Sequence, residues 1–255
     1  MRIMLVNDDG IFADGIRALA LGLSKKYDVC IVAPEHEHSG CSHHFTMAVP
    51  LRTRKVTLPL LEDVPSYAIS GTPVDCTKIG VGTLFPDTDI VISGVNLGAN
   101  LGTDTLYSGT VAAAMEGFFL GRRALAISID SYSPKHLDTA VTSALWGIDL
   151  LLKQERPILL NMNVPDTAFE DTKGFKFAAL SRQDYGNIYE ERIDPRNQKY
   201  YWTPFERISD MVKNFEKDEY FLKQGYITVT PLMTDLTDKP LLDKLASQEV
   251  TTNEQ

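Results

Sequence analysis

Short apolar runs alternate with stretches of helical periodicity over residues 1–165. The apolar runs are RIMLV (2–6), DVCIVAP (28–34), DIVISGV (89–95), RALAIS (123–128) and PILLNMNVP (157–165). Between the first two runs, Ile16, Leu19, Ala20 and Leu23 recur at the spacing of one helix face. Strands without a polar face must be covered on both sides, as in parallel sheets. The pattern therefore predicts an α/β fold of three layers, with helices on both faces of a mostly parallel sheet.

Terminal signals bound the predicted helices. Asp14 is a candidate N-cap for the first helix, and Pro73 favours the first turn of a helix after SGTPVDC. An alanine-rich helix is predicted over 108–121, ending at Gly121, and another helix is predicted over 137–154.

The sequence pattern changes after Pro165. The segments FKFAALS (175–181), KYYWTPF (199–205) and YITVTPL (226–232) indicate isolated β-strands among charged and aromatic stretches. LLDKLASQ (241–248) indicates a short helix before a polar tail. We therefore expect a core over 1–165 and, over 166–255, a C-terminal extension that contains a hairpin and completes the fold.

Charge narrows the range of partners. The 255 residues carry a net charge of -9 and contain no run of Lys and Arg, which argues against binding to duplex nucleic acid. An acidic protein that acts on an anionic substrate needs a local device to hold it, such as a metal ion or a helix N-terminus.

The cysteines and the apolar runs bear on the cellular compartment. The three cysteines are an odd number without CxxC spacing, which favours a reducing compartment and argues against structural zinc. No apolar run is long enough for a signal-peptide core or a membrane span. We expect a cytoplasmic protein without a membrane partner.

Polar loops follow three of the predicted strands. Asp8 and Asp9 follow the first strand, EHEHSG (35–40) follows the second, and a glycine- and asparagine-rich string over 95–110 follows DIVI. The carboxyl ends of parallel strands share one edge of the sheet, where ligands bind. These loops are therefore expected to face a single cleft.

The adjacent aspartates are candidate metal ligands. Mg²⁺ prefers one or two carboxylates together with neutral oxygens, and Ser39 and Asn96 could supply the latter from the neighbouring loops. The alternative is a helix-entry turn in which aspartate merely caps, and NDDG taken alone slightly favours that alternative. The polar loops around it favour the metal site.

The start of the alanine-rich helix is a candidate phosphate site. Ser108, Gly109 and Thr110 lie where free backbone N–H groups and the helix dipole attract anions. Ser108 could equally be a simple N-cap. The string lacks the lysine of a P-loop, and its glycines do not precede a helix as a dinucleotide fingerprint requires, so ATP and NAD are disfavoured.

Two groups of residues are assigned non-catalytic roles. The histidines in the loop beside Ser39 lack the spacing of a zinc site and are predicted to be exposed, although proton transfer or a metal role is conceivable: His36, His38, His43 and His44. The aromatic residues of the second half are predicted to pack or to contact another subunit: Tyr185, Tyr189, Tyr200, Tyr201 and Trp202.

Together these motifs resemble the SurE family, the stationary-phase survival proteins that act as metal-dependent 5′- and 3′-nucleotidases. The matching stretches occur in family order over nearly the whole chain: NDDG, SGTPVDC, VISGVNLGANLGTDTLYSGTVAAAMEG, NMNVP, DPRNQKYYW and GYITVTPL. The resemblance implies a Rossmann-like sheet with a C-terminal extension used in homodimer and homotetramer assembly.

The resemblance also implies site residues. One divalent ion, Mg²⁺ or Mn²⁺, would be held by Asp8, Asp9, Ser39 and Asn96. The YSGT turn would contact the substrate phosphate through Ser108, Gly109 and Thr110. Asp9 is the candidate that orients or deprotonates the attacking water. The expected reaction is hydrolysis of nucleoside monophosphates to nucleoside and phosphate.

Two other functions compete with this hypothesis. A receiver-like signalling module also places an acidic pair after its first strand and binds Mg²⁺. It needs a phosphorylated aspartate at the end of a central strand, where this chain has serine and asparagine in DIVISGVN. A nucleotide-sugar transferase could likewise use an acidic metal site on a Rossmann-like sheet.

Overall fold

A computed structural model describes residues 1–182, 184–185, 189–202, 207–208 and 215–247. Its centre is a nine-stranded sheet in the order β3-β4-β2-β1-β5-β6-β7-β13-β8. The strands of this sheet are β1 (Arg2–Val6), β2 (Asp28–Pro34), β3 (Thr53–Val56), β4 (Ser66–Ile69), β5 (Thr88–Leu97), β6 (Arg123–Ile129), β7 (Leu159–Val164), β8 (Phe175–Phe177) and β13 (Ile227–Leu232). All neighbouring pairs from β4 to β7 are parallel, which confirms the predicted α/β sheet.

Four helices cover the two faces of the sheet: α1 (Asp14–Leu23) and α4 (Leu137–Leu152) on one face, and α2 (Pro73–Ile79) and α3 (Gly109–Phe119) on the other. Two further helices, α5 (Asp218–Lys223) and the exposed α6 (Lys239–Ala246), belong to the second half of the chain. A π-helical turn follows α2 at Gly80–Leu84, and 3₁₀ turns span Gly102–Leu106 and Phe169–Asp171.

The strand β1, buried from Ile3 to Val6, shows why the fold has three layers. Ile3 and Leu5 belong to a core cluster that includes Ile16 of α1 and residues of α4. The alternate residue Met4 belongs to a separate cluster with Ala113 of α3. Successive side chains of a strand point to opposite faces, so an all-apolar strand requires helices on both sides.

Local boundaries differ from the sequence-based prediction in two helices. Ala13, not Asp14, occupies the N-cap of α1, and no side chain caps this helix. Asp14 lies in the first turn instead, where its carboxylate pairs with Arg17 at 3.2 Å. The helix α3 ends at Phe119, and Gly121 follows outside it with a φ of +78°. This left-handed conformation suits a glycine just beyond a helix end.

Segments from the second half of the chain extend the sheet. The strand β13 pairs antiparallel with β7, and β8 pairs parallel with β13. The strands β10 (Glu190–Ile193) and β11 (Lys199–Trp202) form an exposed antiparallel hairpin, and the two-residue strands β9 (Asp184–Tyr185) and β12 (Arg207–Ile208) pair with each other. The division at residue 165 and the role of the extension in assembly stay predictions.

The aromatic residues of the second half are mostly solvent-facing. Tyr189, Tyr201 and Trp202 are exposed by 63%, 58% and 55%, so they do not pack in a core within this chain. The side chain of Tyr185, the segment 203–205 and the polar tail after 247 lie outside the described residues. Within the described chain, none of the helices combines the length and hydrophobicity needed to cross a bilayer.

Candidate functional site

The turn after β1 carries both candidate aspartates. Asn7 is fully buried, and its Nδ2 donates to the carbonyl of Gly10 at 2.8 Å, which closes the turn. The carbonyl of Asp8 accepts the N–H of His38 at 2.8 Å, and Ile11 N–H donates to Pro34 at 2.9 Å. The turn is therefore joined to the end of β2 and to the loop that carries Ser39.

Asp8 contacts the first turn of α3. The side chain of Asp8 is 4% exposed, and the Thr110 hydroxyl donates a short hydrogen bond to Asp8 Oδ1. The backbone of Thr110 also hydrogen-bonds this carboxylate. A Cβ on Gly109 would lie 2.9 Å from both Cβ and Oδ2 of Asp8. Only glycine therefore allows the helix to approach the aspartate this closely.

Two residues at the start of α3 have structural roles. The hydroxyl of Ser108 accepts the Val111 N–H at 3.1 Å, which confirms that Ser108 is an N-cap. Thr110 supports Asp8 directly, a role that the sequence-based prediction did not include. Contact of Ser108, Gly109 and Thr110 with a phosphate stays a prediction.

Asp9 lies in an environment that disfavours its charged form. Burial, followed by the charges of Asp8 and Glu37, raises the pKa of Asp9 from the ordinary 3.8 to about 7. Its Oδ2 is buried and has no hydrogen-bond partner among the described residues. Burial also raises the pKa of Asp8, although the hydrogen bonds from Thr110 oppose the shift. A bound cation would compensate both carboxylates.

Ser39 and Asn96 lie at the same edge of the sheet. Asn96 is half-buried at the end of β5, and its Nδ2 donates to the Gly98 carbonyl at 2.7 Å, which leaves Oδ1 outside this bond. Ser39 is exposed, and its hydroxyl donates to Glu37 Oε1 at 2.5 Å. Neither side chain hydrogen-bonds to Asp8 or Asp9 in the described part of the chain. Their convergence on one ion stays a prediction.

The donor set at this edge fits a hard cation. In the described ranges, His, Cys, Asp and Glu side chains form no group of three or more arranged to hold a metal ion. A closed site of histidine and cysteine ligands, typical of zinc, is therefore not present there. Two carboxylates with neutral oxygens nearby instead match the preference of Mg²⁺ and Mn²⁺ for oxygen ligands.

The histidine-rich loop is held by buried carboxylates. His43 Nε2 contacts Glu116 Oε2 at 2.9 Å, and Lys78 Nζ contacts Glu116 Oε1 at 3.1 Å. Although burial opposes the shift, hydrogen bonds from His43 and Lys78 hold the pKa of Glu116 below its usual range. Asp75 accepts the N–H of Thr46 at 3.0 Å on the same loop.

The histidines are less uniform than predicted. His36 and His44 are exposed, as expected, but His38 and His43 are half-buried. Burial lowers the pKa of His38, and nearby His36 and His44 lower it further, against the charge of Asp75. The prediction of exposure was wrong for His38 and His43 because the loop folds back onto α2 and α3.

The loop after β5 is positioned by residues that sequence reasoning missed. Asn100 Nδ2 donates to Ser128 Oγ at 2.9 Å, while its backbone carbonyl accepts Asn161 Nδ2 at 2.9 Å and Asn163 Nδ2 at 3.0 Å. The fully buried Asp218 of α5 accepts the Gly102 N–H at 2.9 Å. The NMN sequence in an otherwise apolar strand is the signal that could have indicated this network.

The chain is also similar to known proteins in sequence. The family model described as "Survival protein SurE" matches residues 3–187. A protein of Synechococcus sp. named 5'-nucleotidase SurE is 41% identical over 242 residues, covering 93% of each chain. Another of that name, from Natranaerobius thermophilus, is 38% identical and covers 98% of this chain and 99% of its own.

A solved structure extends the likeness to three dimensions. The crystal structure of the SurE protein from Aquifex aeolicus superposes with a TM-score of 0.82 at 32% sequence identity, covering 98% of this chain and 100% of that chain. The sheet edge with its adjacent aspartates and the full-length matches lead to one conclusion. The chain belongs to the SurE family of survival proteins.

Proposed function

We propose that this protein is a metal-dependent phosphomonoesterase, a 5′-nucleotidase that hydrolyses nucleoside monophosphates to nucleoside and phosphate. The observation that carries the proposal is the adjacent carboxylates of buried Asp8 and half-buried Asp9, which have no compensating cation among the described residues, at the edge where α/β sheets bind ligands. The relatives named 5'-nucleotidase SurE, 41% and 38% identical, support the choice of reaction. Activity on 3′-monophosphates is part of the proposal.

The proposed ligands of one divalent ion, Mg²⁺ or Mn²⁺, are Asp8, Asp9, Ser39 and Asn96. The partnerless Oδ2 of Asp9 and the raised pKa of Asp9 fit a carboxylate that is charged when a cation is present. Such an ion supplies Lewis-acid polarisation of a phosphoryl oxygen. Residues of the chain would orient the attacking water and stabilise the negative charge on the phosphoryl group.

Asp9 and the start of α3 divide this work. The free Oδ2 of Asp9 can accept a hydrogen bond from the attacking water and orient it, or take its proton. Thr110 holds Asp8 in place through its hydroxyl, and it is proposed to contact the substrate phosphate together with Ser108 and Gly109. Ser108 and Gly109 begin the helix whose N–H groups and dipole favour the negative charge that shifts during phosphoryl transfer.

The direct test is a screen for phosphate release from 5′- and 3′-nucleoside monophosphates with Mg²⁺, Mn²⁺, Zn²⁺ or a chelator. We expect turnover with Mg²⁺ or Mn²⁺ and none with the chelator. Asp9→Asn should abolish turnover, because it removes one ligand charge without removing bulk. Asp63→Asn, at an exposed aspartate just before β4 on the opposite edge, is the matched control. Retention of metal-dependent turnover by Asp9→Asn would overturn the assignment.

The same screen separates the competing functions. A receiver-like module would accumulate a stable acyl phosphate, whereas release of phosphate over many turnovers excludes it. A nucleotide-sugar transferase would require an added sugar acceptor. A receiver carries its aspartate at the end of a central strand, and the last residues of β5 include Ser93 and Asn96 instead.

We also propose that the chain forms a homodimer or homotetramer through its C-terminal extension. The hairpin of β10 and β11 exposes Ile193, Tyr201 and Trp202 by 61%, 58% and 55%. Apolar side chains grouped on one exposed hairpin are typical of protein contacts. A second copy of this chain is the proposed partner.

A further inference from the structure

A cleft lies at the same edge of the sheet as the aspartates, where β5 ends and the loop after β6 begins. It has a volume of about 340 Å³ and is lined by Asp14, Leu97, Tyr132, Ser133, Pro134 and Leu137. This volume lies at the lower end of the range of small-molecule sites, roughly 300–1,000 Å³. None of the proposed metal or phosphate residues lines the cleft.

Both walls of the cleft are fixed to residues that flank Asn96. On one side, α1 packs so closely on β5 that a Cβ on Gly15, next to Asp14, would lie 2.0 Å from the Val95 carbonyl oxygen. On the other side, a Cβ on Gly98 would lie 2.9 Å from the Tyr132 ring, so this ring covers the Gly98 backbone. The cleft therefore begins one residue beyond Asn96, at Leu97.

The lining combines a flat ring with one carboxylate. Tyr132 is 79% exposed, so most of its ring is open to a planar partner. Leu97, Pro134 and Leu137 supply apolar surface beside it. The side chain of Asp14 is 80% exposed at the start of α1 and uses Oδ1 to pair with Arg17. None of the described residues that line the cleft is Lys or Arg, so it suits an uncharged group with hydroxyl donors better than a second phosphate.

We propose that this cleft binds the nucleoside part of the substrate, with the base stacked on Tyr132 and a ribose hydroxyl donating to Asp14. The proposal rests on the proposed function, since it assumes that the substrate phosphate lies at Asp8 and Asp9. It specifies the substrate class, because a phosphoester without a base would leave the Tyr132 ring unused. Tyr132 is thereby a specificity residue outside the metal and phosphate machinery.

The test compares substrates with and without a base. In Tyr132→Ala, kcat/KM for AMP should fall about tenfold, the order expected for loss of one base–aromatic stack. Activity on ribose 5-phosphate, which has no base, should stay within about twofold of the wild-type value, because the reacting groups are untouched. Tyr132→Phe keeps the ring and should retain activity on AMP. Phe177→Ala, at a 58% exposed aromatic residue on the edge strand β8, is the matched control.

A second variant separates the sugar from the base. Asp14→Asn should lower kcat/KM for AMP and ribose 5-phosphate alike, and leave glycerol phosphate unchanged. If Tyr132→Ala leaves kcat/KM for AMP unchanged, the assignment of Tyr132 to the base is wrong. The assignment is also wrong if Tyr132→Ala lowers kcat/KM for ribose 5-phosphate as much as it lowers kcat/KM for AMP.

Binding of adenosine distinguishes failure of this inference from failure of the proposed function. Adenosine carries no phosphate, and saturation-transfer NMR without metal should detect its binding to the wild type and its loss in Tyr132→Ala. If the wild type hydrolyses neither AMP nor ribose 5-phosphate, the proposed function fails. The binding of adenosine still shows in that case whether the cleft holds a nucleoside. Equal binding of adenosine to the wild type and Tyr132→Ala would overturn the proposal.

Discussion

The affinity for a divalent ion should depend steeply on pH because Asp9 must lose a proton before it can bind a cation. Its pKa is raised to about 7 in the metal-free protein. At pH 6 only about one molecule in eleven would therefore carry an ionised Asp9, and the apparent affinity should be about tenfold weaker than at pH 8. The midpoint of an Mn²⁺ titration, followed by electron paramagnetic resonance between pH 5.5 and 8.5, measures this directly.

The same shift makes the stability of the metal-free protein depend on pH. The folded pKa of Asp9 lies above the ordinary value of 3.8, so its stabilising contribution is present below about pH 4 and is lost as the pH rises through about 7. The difference corresponds to about 4 kcal/mol, an upper limit because Asp9 is partly exposed and solvent screens it.

Thermal denaturation with and without Mn²⁺ tests this second consequence. A change of 1 kcal/mol shifts Tm by about 2–4 °C for a domain of this size. Between pH 5 and 8, the Tm of the metal-free wild type should therefore fall by several degrees more than the Tm of Asp9→Asn. Saturating Mn²⁺ should remove this difference between the two plots of Tm against pH. If the Tm of the metal-free wild type and of Asp9→Asn changes in parallel with pH, the pKa of Asp9 is not raised as described. Equal Mn²⁺ affinity at pH 6 and pH 8 would contradict the raised pKa in the same way.

Three further outcomes are expected from contacts around the site. Thr110→Val removes the hydroxyl that donates to buried Asp8, so urea denaturation should show a loss of about 1–3 kcal/mol, accompanied by weaker Mn²⁺ binding. Gly109→Ala should lower metal affinity and turnover because its Cβ would lie 2.9 Å from Asp8, whereas Gly82→Ala, with no atom within 4 Å, should leave both unchanged in parallel titrations. Trp202→Ser, at a side chain 55% exposed on the hairpin, should shift the chain to smaller species in light scattering, and an unchanged mass would contradict the proposed assembly.

The central strands could be predicted because a strand that is buried on both faces is a run of consecutive apolar residues in the sequence. The segment 2–6 is apolar at almost every position, and the structure places its residues alternately in two core clusters. The strand β3 contains no such apolar run, because Thr53, Arg54 and Lys55 are exposed at the edge of the sheet. Its pairing with β4 depends on a partner ten or more residues away, which local composition does not encode.

The candidate site was predicted in part for the same reason. The position of Asp8 and Asp9 at the carboxyl edge follows from the order of strands and from the adjacent aspartates themselves. The bond between Asp8 and Thr110 joins residues 102 positions apart, and the contact between His43 and Glu116 joins residues 73 positions apart. Neither contact is visible in local sequence, so the sequence did not indicate that Thr110 bonds to Asp8 or that His43 is half-buried.

The most direct test of the central claim is anomalous diffraction from a crystal soaked with Mn²⁺. We expect an anomalous peak between the carboxylates of Asp8 and Asp9, with oxygens of Ser39 and Asn96 within coordination distance. Two aspartates turned away from each other, with no anomalous density at this edge of the sheet, would contradict it.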